Sequence, residues 1–560
     1  MDKKLLYLAA GVVLIGATGC SKKLGAFQSN YFNTTPTPLE TVGENVPATI
    51  TGNIPAKFML KNARVTATPL LEYPGGVTSG TPVTIQGENV RANGQVVSYN
   101  NGGTVQIPFN TQYQPEMEQS DLYLSFSVDQ NGKVYELPRV KVGYGVIATS
   151  TLASAKTVTP AIAPDNFQRV INEKYNAEIM FLINQAIIRK NQIDAPDYVD
   201  LNKRLIEANE APNQEIVGIN IASTASPDGT LAFNTALAER REEVTTAFME
   251  NQLKKDKITN FGEITSSFTP EDWEGFQELV EKSNIQDKDL ILAVLKMYKD
   301  PNQREQEIRN MSSVFDELAV EILPKLRFSK IQASINIIGK SDEELINLFN
   351  TDPQKLTEDE ILYVATLTDD ITRKTEVYRK ATEIYPQSYR AVNNLGVTKY
   401  VAGDYTAAKS DFEKAKRLNP QSKEVDLNLG LIELVDGNYN RANELIGSAA
   451  GVPEAADALG VYYLTQGEVA KANTSFGSAK TNNAALAKIL AKDYSAAQSI
   501  LSSVPHPDGT TYYLAAVVAA RTNNQESVVS NLKKAIQLDN SLLKRAQNDL
   551  EFSKYNLSGI

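Results

Sequence analysis

The residues that most chemistry draws on are nearly absent: among 560 residues there is one cysteine, one histidine and one tryptophan. A lone Cys20 excludes an intrachain disulfide framework and any site with several thiolate ligands. A lone His506 excludes paired-imidazole metal sites and argues against His-based catalytic machinery. Positive charge is in deficit, 56 Lys and Arg against 67 Asp and Glu, a net charge of −11. That balance argues against nucleic acid as a partner. After the first twenty residues no stretch is apolar over the roughly 20 residues that a bilayer core requires. There is no Gly-rich phosphate loop and no nucleophile elbow. The remaining candidates read as structure. His506 sits in a turn, Val504-Pro505-His506-Pro507-Asp508-Gly509. Trp273 reads as a core aromatic at a helix start. The pairs Glu271/Asp272 and Asp369/Asp370 read as helix N-terminal charges or solvated faces. Residues 129–132 (DQNG) have turn chemistry without the ligand run of a calcium loop. The expectation is a protein that is not an enzyme and takes no cofactor or metal.

What is present begins at the N-terminus. Lys3 and Lys4 precede an apolar run over residues 5–15. That run is too short to span a membrane and suits a cleaved export signal. Ala17-Thr18-Gly19-Cys20 follows. Small residues before a Cys resemble the lipobox of bacterial lipoproteins, with Ala17 in place of the commoner Leu. The resemblance implies that residues 1–19 are a signal peptide and that Cys20 is lipidated. Several acyl chains on one residue anchor stably, because each buried CH₂ contributes about 0.8 kcal/mol. Ser-Lys-Lys follows Cys20, without the acidic run of surface-exported lipoproteins and without an Asp or Glu directly after Cys. The expected place is the outer membrane, lipid-anchored and facing the periplasm.

Three regions follow a Pro/Thr-rich stretch, residues 20–48, which reads as a flexible tether. Residues 49–160 carry short β-branched and aromatic runs at 63–71, 83–90, 105–109, 122–128 and 134–142, separated by Gly and Asn-Gly turns. This pattern predicts a β-sandwich-like domain. Residues 149–164 (TSTLASAKTVTPAIAP) read as a linker. Residues 165–340 alternate strand and helix signals, with strands expected at 176–189, 215–222 and 327–338 and a helical insertion at about 255–320. The order β-α-β-α-β predicts an α/β sandwich.

Residues 341–560 repeat themselves with a period of 34: Leu395 with Leu429, Gly396 with Gly430, Gly403 with Gly437, Tyr405 with Tyr439, Ala408 with Ala442. A shortened copy has Leu459, Gly460, Gly467, Ala472 and Phe476. Small residues let paired helices approach, Gly403 and Gly437 permit a turn, and Pro420 ends a helix. The register resembles the tetratricopeptide repeat, which implies an all-α superhelix of about five units with a concave face. Tyr389, Tyr400, Tyr462 and Tyr463 are candidate groove residues.

The stretch 217–248 contains Ala225-Ser226-Pro227-Asp228-Gly229, then Asn234, Leu237 and Arg241 at helical spacing. It resembles the OmpA-like peptidoglycan-binding domain. In that family a turn Asp and a helix Arg grip a zwitterionic stem-peptide side chain, the Arg supplying a fork to the carboxylate. The resemblance offers Arg241, Ser226, Asp228 and Asn234 as peptidoglycan contacts. Ser226, a neutral acceptor, stands where the Asp is expected, which weakens peptidoglycan binding, and Asp228 is expected to point elsewhere. Arg241 is open to two readings, a ligand fork or a solvated residue beside Arg240. The leading functional expectation is a periplasmic scaffold lipoprotein that meets other envelope proteins through its repeat groove, in an assembly or secretion complex. The alternative is a cell-wall linker that binds peptidoglycan through the OmpA-like domain.

Overall fold

The computed structural model describes residues 23–558, with the side chains of 312–314 left out. Cys20 and the expected export signal lie outside the described residues. The chain forms two compact units: residues up to Pro164 together with those from Asp370 onward, and Asp165–Asp369.

In the first unit, Phe32–Thr35, Ala48–Ile54 and Gly103–Phe109 form one antiparallel sheet. Lys133–Tyr144, Asp121–Gln130, Ala63–Tyr73, Val83–Gly87 and Gln95–Val97 form a second. Strict alternation explains their pairing. Leu122, Leu124, Phe126 and Val128 all point inward and are fully buried, as a period of two requires. They share one core with Ile50, Val105 and Ile107 of the first sheet. Asn131 and Gly132, both at positive φ (51° and 80°), close the hairpin between Asp121–Gln130 and Lys133–Tyr144, the conformation that a two-residue turn demands.

The expected tether is corrected here. Residues 24–48 belong to the sheet domain: Leu24, Phe27, Phe32, Leu39 and Val46 are core residues, and Phe27 stacks on Phe126 at 4.3 Å. A few apolar anchors in a Pro/Thr-rich stretch are enough to seat it.

The second part of this unit is helix Ile371–Ile384, five helix pairs and a further helix Leu542–Asn548; the pairs open with Tyr389–Val401 and Tyr405–Leu418, then Lys423–Val435 and Tyr439–Ser448. Ala455–Thr465 with Val469–Phe476, Asn482–Leu490 with Tyr494–Leu501, and Gly509–Arg521 with Gln525–Leu538 complete the stack. The repeat glycines sit where helices touch. A Cβ on Gly430 would lie 2.7 Å from Ile446 Cγ1, too close for any carbon pair. Gly430→Ala is therefore expected to cost about 1–3 kcal/mol by overpacking. Ala normally stabilises a helix relative to Gly by about 1 kcal/mol, so the sign of the change in urea unfolding separates the two effects.

In the second unit the sheet order is Val170–Met180, Phe328–Ile338, Gln214–Thr224, Glu263–Thr269, the last pair parallel and the others antiparallel. Helices Pro196–Glu210 and Leu231–Lys255 contribute Tyr198, Leu205, Met249 and Leu253 to one core with Ile219, Ile221, Ile331 and Ile335. Three expectations change. The first strand is 170–180, and 181–189 is mostly irregular, with Ile183 and Ile187 exposed. The expected helical insertion begins with a fourth strand, Glu263–Thr269, whose side chains are nearly all exposed. Helices Asp342–Thr351 and Glu358–Val364, expected among the repeats, belong to this unit. The Arg169–Asp342 ion pair and the Phe167–Tyr363 stack at 4.3 Å hold them there. Among the described residues no helix is long and apolar enough to cross a membrane, and no cluster of metal-ligating side chains occurs.

Candidate functional site

The repeat groove contains a row of buried asparagines. Asn394, Asn428 and Asn483 lie on the first helices of three pairs, each ten residues before the residue that opens the second helix (Asp404, Asn438 and Asp493). Asn393 adds a fourth beside Asn394. An asparagine in a helix interior has no local use for its amide, and its burial is costly without partners. Here the partner is the backbone of the chain's own residues 149–164, expected above to be a linker.

The pairing is two-pronged and repeats. The Ala161 N–H donates to Asn428 Oδ1 at 2.7 Å, and Asn428 Nδ2 donates to the Ala161 carbonyl at 2.8 Å. Ala163 is held the same way by Asn394, at 2.8 and 3.0 Å. Ser154 is held by Asn483, at 3.0 and 2.9 Å. Asn393 Nδ2 donates to the Ala161 carbonyl at 3.1 Å, and Asn428 Nδ2 donates to Asn393 Oδ1 at 2.9 Å. Tyr400, one of the candidate groove tyrosines, donates its hydroxyl to the Ala155 carbonyl at 2.7 Å; burial raises that phenol above the ordinary tyrosine range. Tyr389, Tyr462 and Tyr463 pack against the repeat core, with no bond to the segment among the hydrogen bonds described here.

Alternation along the extended segment places Ala161 and Ala163 inward, 1% and 0% exposed, with Ile162 between them facing out. Ala155 and Val158 join the repeat core. The groove thus reads a backbone and accepts small side chains. Ser154 meets the fourth pair and Ala163 the first, so the segment runs against the order of the repeats. Its leading end is anchored separately. Arg545 Nη2 donates to the Ala148 carbonyl at 2.9 Å and to Thr151 Oγ1 at 3.1 Å, and Thr149 donates to Glu551 at 2.6 Å.

Beside this anchor Asp549 accepts the Tyr513 hydroxyl at 2.6 Å. Burial raises its carboxyl above the ordinary aspartate range. The folded state therefore holds this proton more tightly than the unfolded chain does. Relative to Asp549→Asn, the wild type should gain stability as pH falls from 7 toward about 4, the unfolded aspartate value. Urea unfolding of both proteins at the two pH values checks the sign; a gap that stays constant or reverses contradicts it.

The candidate peptidoglycan residues lie in the second unit, but their polar groups are spent on bonds within the fold. Arg241 is 1% exposed. Its Nε, Nη1 and Nη2 donate to the carbonyls of Gln185 (3.0 Å), Thr224 (2.8 Å) and Leu182 (3.2 Å). Burial, then Arg327, lowers its pKa to about 10, which leaves it charged at neutral pH. It is neither a free fork nor a solvated residue. Asp228 does not point away: it takes Ser226 Oγ at 2.8 Å and Arg327 Nη2 at 2.8 Å, while Arg327 Nε reaches Ser226 at 3.0 Å. Asn234 donates to the Gly229 carbonyl and to Glu271. Glu271 also takes the Trp273 indole N–H, Asp272 and Asp370 cap helices, and Asp369 is exposed. His506 is exposed in its loop.

One helix pair, residues 389–422, matches the family model described as tetratricopeptide repeat. No curated protein matches the chain. Among solved structures, the chain is similar to the APC/C hetero-tetramer Cut9–Hcn1, at 19% identity over 37% of this chain and 45% of that one, TM-score 0.33. The chain thus spans less than half the length of that relative. A tetratricopeptide repeat protein from Parabacteroides merdae is similar at 14% identity, over 36% of this chain and 88% of that one, TM-score 0.29. PilF from Pseudomonas aeruginosa gives 15%, 38%, 98% and 0.27. The repeat match itself marks an interaction scaffold.

Proposed function

We propose that this chain is a non-catalytic scaffold lipoprotein, anchored through Cys20 to the periplasmic face of a bacterial outer membrane, that serves an envelope assembly or secretion complex. The observation that carries the scaffold reading is the helix-pair stack with its tetratricopeptide match at 389–422. The single cysteine behind Ala17-Thr18-Gly19 supports the anchor. The asparagine row adds that the groove holds residues 149–164, which ties the sheet domain and the repeats into one unit. A cell-wall role for the second unit is the weaker reading, because the Arg241 fork is already used by three carbonyls.

Crosslinking in intact cells followed by mass spectrometry tests the reading, together with Cys20→Ala. Crosslinks to envelope proteins and release of the variant from the membrane fraction are expected. Crosslinks confined to cytosolic proteins, or a variant that stays in the membrane fraction, contradict the proposal.

A further inference from the structure

A groove that holds a peptide is a receptor, and the bound segment states its requirements. Three two-pronged contacts read backbone at Ser154, Ala161 and Ala163. No charged side chain of the segment is buried; Lys156 is exposed. The buried positions hold small side chains, Ala155, Val158, Pro160, Ala161 and Ala163. The direction is fixed, with the leading end at Arg545 and Glu551 and the trailing end at Asn394.

We infer that the repeat groove is a receptor for extended, small-residue peptides with alternating inward alanines, and that residues 149–164 are its resident ligand, exchangeable with a partner segment of the same chemistry. The inference rests on the scaffold reading and names the partner class of its groove. Covalent attachment gives the resident segment an effective concentration in the millimolar range. A partner at micromolar concentration therefore gains the groove only when it binds about 1000-fold more tightly than the resident, or when the resident is withdrawn.

The test is fluorescence anisotropy with a labelled peptide of sequence TSTLASAKTVTPAIAP against the full chain. Ala163 is fully buried, so Ala163→Lys, which would bury a charge there, expels the trailing half of the resident segment. The variant is expected to bind the labelled peptide at least about 10-fold more tightly than the wild type does. A peptide carrying the same alanine-to-lysine change should not bind it. Equal binding to both proteins, or no binding to a folded Ala163→Lys chain, overturns the inference. Circular dichroism reports the folding. If that variant is unfolded, replacing residues 158–164 by a Gly/Ser run of equal length gives the same readout. Failure here, with envelope crosslinks intact, removes the receptor and leaves the scaffold reading standing.

Discussion

Asn428→Ala should lower the stability of the first unit by about 3 kcal/mol and open residues 149–164 to trypsin. The carboxamide is fully buried. Its removal leaves the Ala161 N–H without its acceptor and takes one of two donors from the Ala161 carbonyl. A buried polar group left unpaired costs about 1–3 kcal/mol, and Asn393 Oδ1 loses a donor as well. Lys156 is the only basic residue between Lys141 and Arg169, so a cut there reports release of the segment alone. A change of about 3 kcal/mol corresponds to roughly a hundredfold more of the open form. Asn428→Asp should not rescue it, because a carboxylate cannot donate to the Ala161 carbonyl and brings a buried charge. A loss below about 1 kcal/mol with unchanged cleavage at Lys156 contradicts the clamp.

Arg241→Met should be still more damaging, at about 4 kcal/mol in the second unit. Three carbonyls, the Thr224 one buried, lose charged donors, each bond contributing about 1.5–3 kcal/mol, and the guanidinium also lies 5.1 Å from the Phe181 ring. Methionine refills part of the volume, so the loss is polar rather than a cavity. Arg241→Lys should recover little, because an ammonium cannot serve three carbonyls set out around a planar fork. Thermal unfolding measures both variants. An unchanged Tm in Arg241→Met would mean that these bonds do not hold the loop at 182–185. The consequence for binding work is direct: loss of cell-wall binding in an Arg241 variant reports a disturbed fold, not a missing ligand contact.

The repeat register was legible because packing writes it at fixed spacing. Gly396, Gly430 and Gly460 stand where Phe412, Ile446 and Phe476 press against the neighbouring helix. The strands of the sheet domain at 63–73, 103–109 and 121–130 announced themselves by alternation. The groove's content did not. The segment's partners lie more than 200 residues away, and its Ala, Ser, Thr and Pro composition is that of a linker. The available signal was on the other side of the contact: a polar residue, Asn394, Asn428 and Asn483, at one register position of otherwise apolar helix faces. The strand Glu263–Thr269 escaped because an exposed edge strand has no apolar alternation to show. Helices 342–364 passed as repeats because helical periodicity does not say which core a helix joins; Arg169 and Phe167 decide that.

Hydrogen exchange at individual backbone amides tests the groove directly. The Ala161 and Ala163 N–H groups donate only to asparagine side chains, not to any helix or sheet partner. In the wild type they should exchange as slowly as neighbouring amides of the repeat core. In Asn428→Ala the Ala161 amide should exchange about a hundredfold faster. Exchange of both amides at the rate of an unstructured chain in the wild type would show that the segment does not occupy the groove.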